Sequence, residues 1–125
     1  MLPLTRFLNV DLDLFADRDL DALLSALAPR LFLLNTSDGR WTFELADESD
    51  SAEEVMRTMA AVVVALPSAP RALWDGCTRR SMNVGVQAGA APHQWDTALS
   101  HETLTMLAGI GAEVVFTVYG ADQPG

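Results

Sequence analysis

Phe7-Leu8-Asn9-Val10-Asp11-Leu12-Asp13-Leu14-Phe15 is the stretch on which the fold turns. Leu8, Val10, Leu12 and Leu14 alternate with Asn9, Asp11 and Asp13. That period of two predicts a strand with one buried and one wet face. Downstream, Asp17 is the expected N-cap of a helix through Ala28 that lines up Leu20, Leu23, Leu24 and Leu27. Pro29 ends it, because a proline disfavours helical backbone at the residue before it. Leu31–Leu34 and Arg40–Ala46 are predicted strands joined by Asn35-Thr36-Ser37-Asp38-Gly39, whose Asp-Gly pair is a hairpin signal.

Ser51 and Glu54 have capping-box spacing at the head of a second helix that runs to about Leu66. Its final turns, Met59–Leu66, are apolar on every side, so they must be covered within the domain or in an oligomer. Pro67-Ser68-Ala69-Pro70 is expected to break the chain, with one helical turn between Arg71 and Arg80. Ser81–Gln87 alternates as a strand, and Trp95–Leu99 is a candidate for another. Ser100 caps a third helix ending at Gly109 or Gly111, and Ala112–Tyr119 is the last strand. The predicted class is therefore α+β, a mostly antiparallel sheet with helices packed on one face. The nearest named arrangement is ferredoxin-like, single or doubled, the latter because residues 17–38 and 100–122 share a helix-turn-strand plan. Residues 1–120 are assigned to one domain and 121–125 to a frayed tail.

Composition narrows the function classes. The 125 residues carry 17 Asp+Glu against 8 Lys+Arg, a net charge of −9, and half of them are hydrophobic. All the basic residues are arginine, and residues 1–54 hold most of the acids. Such a chain repels phosphate backbones, which argues against nucleic acid and for either a basic protein partner or simply good solubility. No apolar run approaches a bilayer span, and the first residues lack a signal-peptide pattern. The expectation is a soluble, cytoplasmic bacterial protein with no membrane association. A single cysteine forms no internal disulfide, and neither cofactor nor metal is called for by the spacing of Cys and His.

Asp11 and Asp13 project from one strand face and could pair as cation ligands or as acid and base, but no third ligand is identifiable. The alternative is a solvated face whose charge blocks edge pairing. Ser100-His101-Glu102 holds triad residue types, yet helix neighbours do not face one another, so its parts read as cap and dipole partner. Cys77 beside Arg79 and Arg80 is either an activated thiol or a small buried residue. Gly109-Ile110-Gly111 follows a helix and lacks a third glycine, which excludes a dinucleotide fingerprint. Arg79 and Arg80 read first as internal partners of the acidic first half; the alternative makes them, with His93, candidate holders of a small anionic ligand. Trp41, Trp74 and Trp95 fit either the core or a binding hot spot.

Trp74-x-x-Cys77-x-x-Arg80, Met82-Asn83-Val84-Gly85-Val86, Leu99-Ser100-x-Glu102-Thr103-Leu104 and Gly111–Tyr119 form a run of blocks. Over residues 74–119 this run resembles a group of small acidic bacterial domains of unknown function, some of them proposed immunity proteins of polymorphic toxin systems. The resemblance implies binding to a toxin and supplies no catalytic residues. The leading expectation is a non-enzymatic domain that occludes a basic partner through Asp11, Asp13, Asp17, Asp19 and Asp21. A ligand-binding or enzymatic domain built on Arg79, Arg80 and His93, and a structural homo-oligomer, are the alternatives.

Overall fold

In the computed structural model, which describes residues 4–121, the alternating stretch is β1 (Arg6–Phe15), the middle strand of a five-stranded sheet. The tail expected at 121–125 lies, past residue 121, outside the described residues. After β1 come α1 (Asp21–Leu27), β2 (Leu31–Ser37), β3 (Arg40–Leu45), α2 (Ala52–Val64), α3 (Ser68–Asp75), β4 (Arg79–Gln87), α4 (His101–Gly109) and β5 (Glu113–Tyr119). The sheet order is β2-β3-β1-β4-β5, antiparallel except for the β4–β5 pair. The fold is thus α+β. Its first four strands follow the split β-α-β plan, and β5 is added beside β4 through the α4 crossover. The arrangement is single, not doubled: β3 separates β1 from β2, whereas β4 and β5 are direct neighbours.

Register assigns the two faces. Leu12 stands opposite Phe43 and Met82, and Val10 opposite Val84, so these side chains share the helix-covered face. They join Leu20, Leu23 and Leu27 of the α1 segment and Met56, Met59 and Val63 of α2 in one buried cluster. Trp74 of α3 is fully buried and donates its indole N–H to the Ile110 carbonyl at 2.8 Å. The opposite face carries Asp11, Asp13, Thr42, Glu44, Ser81, Asn83 and Glu113.

Several sequence expectations needed correction. The alternation in β1 is interrupted at Leu8, the extra residue of a bulge between Phe7↔Val86 and Asn9↔Gly85. Phe7 therefore packs against the core while Leu8 is 38% exposed. Gly85 accommodates this: a Cβ there would meet the Asn9 side-chain oxygen at 2.9 Å. The hairpin loop is two residues, not five, since β2 runs on to Ser37 and only Asp38 and Gly39 turn, both at positive φ.

Helix α1 begins at Asp21 rather than after Asp17. Hydrogen bonds from Ala16 to Gly39 and from Thr78 to Phe15 hold the chain at the strand's end, and Asp19 accepts the Asp21 N–H at 2.8 Å. Pro70 does not break the chain but sits in the first turn of α3, where a missing N–H costs nothing. Residues 95–99 form no strand; Trp95 and Leu99 pack against the core instead. The Ser51 and Ser100 caps form as expected, accepting from Glu54 and Thr103 at 3.2 Å each. The apolar end of α2 is only partly covered: Met59, Ala60 and Val63 are buried, while Val64 is 63% exposed. No described helix is long and apolar enough to cross a membrane.

Candidate functional site

β1 outruns its neighbour. It pairs with β3 from Asp11 to Phe15, and β3 ends at Leu45, whereas Arg6–Val10 pairs with β4 alone. The chain after Leu45 leaves the sheet through Ala46–Asp50 to reach the Ser51 cap of α2. A groove of about 620 Å³ opens in that fork. Phe7, Val10, Leu45 and Val55 supply its apolar wall, and Glu44, Asp47, Glu48 and Asp50 supply carboxylates. None of these four acids forms an ion pair among the described residues. A second hollow, of about 600 Å³, shares Phe7 and Asp50 and leads toward Trp95, with Arg6 its one lining cation among the described residues.

The groove adjoins the polar face through the Asp11–Glu44 pair. Asp11 has its pKa raised from the ordinary 3.8 to about 6. Partial burial is the main cause, followed by repulsion from Glu44 and Asp13 and opposed by Arg40. Asn9 donates to its Oδ1 at 2.9 Å. Asp13 is different. Its side chain is 5% exposed, accepts the Thr42 hydroxyl at 2.7 Å and pairs with an Arg40 guanidinium nitrogen at 3.2 Å. The expected solvated face is therefore partly a buried polar network, and Asp13 offers no contact surface. Asp17, Asp19 and Asp21 are exposed, on the β1–α1 connection and the first residue of α1.

The two candidate arginines are engaged by the chain itself. Arg79 pairs with Glu113, which also accepts the Ser81 hydroxyl, and its guanidinium lies 5.2 Å from the Phe15 ring centre. The hydrogen bonds from Ser81 and Arg79 lower the Glu113 pKa. Arg80 donates to the carbonyls of Cys77 at 2.8 Å, Trp74 at 3.1 Å and Gly111 at 3.0 Å, tying the end of α3 to the α4–β5 turn. His93 is exposed in the loop beyond the far end of β4, roughly 25 Å of strand away from both. The structure does not bring the three together.

Burial raises the Cys77 thiol pKa against the opposing pull of Arg80 and Arg18, which disfavours an activated thiolate. Trp41 and Trp95 are half-buried, and with Trp74 inside, no tryptophan stands fully exposed. Among the described residues, no group of three or more His, Cys, Asp or Glu side chains is placed to hold a metal ion.

Sequence reasoning missed the acids of the groove. Asp47, Glu48 and Asp50 lie in the polar connection between β3 and α2, and only the different lengths of β1 and β3 turn them into a rim. Comparison with protein-family models, curated proteins and solved structures found no match.

Proposed function

We propose that this chain is a non-enzymatic protein-binding domain that takes an extended, cationic segment of another protein into the fork between β1 and β3. The observation that carries this is the Arg6–Val10 half of β1, which among the described residues is paired on one side only and faces a groove rimmed by four carboxylates without ion pairs. A segment laid along that edge would gain main-chain hydrogen bonds, as in strand addition. Its apolar side chains would meet Phe7, Val10 and Leu45, and its Lys or Arg side chains would meet Glu44, Asp47, Glu48 and Asp50. The acidic field of Asp11, Asp17, Asp19 and Asp21 would speed the encounter. In the immunity-like form of this proposal, the captured segment borders the partner's active site and binding occludes it. The anionic-ligand alternative has less support, because Arg79 and Arg80 are engaged and the groove's charge opposes an anion.

The test is a titration of the amide-labelled protein with two extended peptides, Lys alternating with Leu and Glu alternating with Leu. The lysine peptide should shift the amides of Phe7–Val10 and weaken as salt is raised, since exposed charges are screened. Joint replacement Asp47→Lys, Glu48→Lys and Asp50→Lys should weaken it by about tenfold or more. Equal binding of both peptides, or shifts that avoid β1, would remove the proposal.

A further inference from the structure

The sheet ends in two outer strands, and they are built differently. β2 is bulged at Leu34 and finishes in Asn35-Thr36-Ser37. Bulges and polar ends are standard protection against edge pairing. β5 has none. It is Glu-Val-Val-Phe-Thr-Val-Tyr, regular along its whole pairing with β4, with no proline, lysine or bulge. Its outer edge has no partner strand among the described residues. Phe116, Val118 and Tyr119 are 52%, 62% and 53% exposed. Phe116 and Val118 stand opposite Val84 and Val86, so they continue the core row of the sheet beyond the reach of the helices.

We propose that this edge is an interface with a second copy of the chain, in which β5 pairs antiparallel with β5 about a two-fold axis at Phe116. Charge selects the occupant. A chain of net charge −9 repels its copies except where no free acid faces the seam. The one acid of β5, Glu113, is held by Arg79 and Ser81 of its own chain. The register is self-complementary, as an isologous contact requires. With Phe116 opposite Phe116, Val114 meets Val118, Val115 meets Thr117, and Glu113 meets Tyr119. Opposed residues of an antiparallel pair share a face, so Phe116, Val118 and Val114 of the two copies form one apolar row on the helix side. The two five-stranded sheets become one. The proposal is independent of the groove, which lies on the other side of β1 from β4 and β5.

Light scattering and sedimentation of the intact chain up to about 100 μM should show a dimer that dissociates on dilution by mass action. Phe116→Lys with Val118→Lys should raise the dissociation constant by about tenfold or more while leaving circular dichroism unchanged, because both side chains are already exposed. Leu34→Lys on the opposite edge should leave the dimer intact. As a second readout, amide exchange across Glu113–Tyr119 should slow with concentration in the parent and not in the double variant. A monomer throughout the concentration range, a dimer indifferent to the double substitution, or one lost on Leu34→Lys would each overturn the proposal.

Discussion

The two halves of β1 are each three-fifths apolar and differ in fate. Asp11–Phe15 lies between two strands, and there Leu12 and Leu14 are fully buried while even the polar side buries Asp13 and Thr42, with the half-exposed Arg40 paired to Asp13. Arg6–Val10, which contains the bulge at Leu8, has β4 on one side and open groove on the other. Leucine at position 12 is core, and leucine at position 8 is surface. What separates them is the bulge, which turns Leu8 out of the buried row that Val10, Leu12 and Leu14 share, not residue type.

The sharpest way to break this contrast is the same substitution in each half. Leu12→Ala should cost about 3 kcal/mol, the usual loss for a fully buried leucine. Leu8→Ala should cost less than about 0.5 kcal/mol. Urea denaturation of both variants checks the pair, and similar losses would mean that the bulge does not turn Leu8 outward.

A smaller effect is expected on the polar side. Asp13→Ala leaves the buried Thr42 hydroxyl without its acceptor and Arg40 without its ion pair, at a cost of about 2 kcal/mol. Asp13→Asn should cost less, because an amide oxygen still accepts from Thr42. If Asp13→Ala proves no worse than Asp17→Ala at the exposed connection, the central half does not hold its acid as described.

The smallest effect concerns Asp11, at the junction of the halves. Its carboxyl titrates at about 6 when folded, against an ordinary 3.8. Between those values the folded chain keeps a proton that the unfolded chain releases. Stability therefore falls as pH rises through that window and stays lowered above pH 6. Asp11→Asn should raise the melting temperature at pH 7, leave it nearly unchanged near pH 3.5, and flatten the slope between. A variant as pH-sensitive as the parent would assign the slope to another group.

Much of the fold was legible in local pattern. The Asp38-Gly39 turn, the Ser51 and Ser100 caps, the leucine stripe of α1 and the class of the sheet all depend on residues within a few positions of one another. The site was legible only in part. Asp11 was read as one of a pair on a strand face, but its neighbour Glu44 is 33 residues away and becomes one only through β1–β3 pairing. Arg80 read as either a ligand holder or a partner for the acidic first half, whereas its acceptors are the carbonyls of Cys77, Trp74 and Gly111, in two turns that meet in space.

By itself, then, the sequence determined most of the elements, the Ser51 and Ser100 caps, the Asp38-Gly39 turn, and an acidic chain with an α+β core, all of them consequences of short-range periodicity and backbone preference. Tertiary structure alone decided where β3 stops short of β1, which of two like-spaced aspartates is buried, and which outer strand is left regular and bare. Those outcomes depend on strand order and register, which bring together groups tens of residues apart and fix how many neighbours each side chain has.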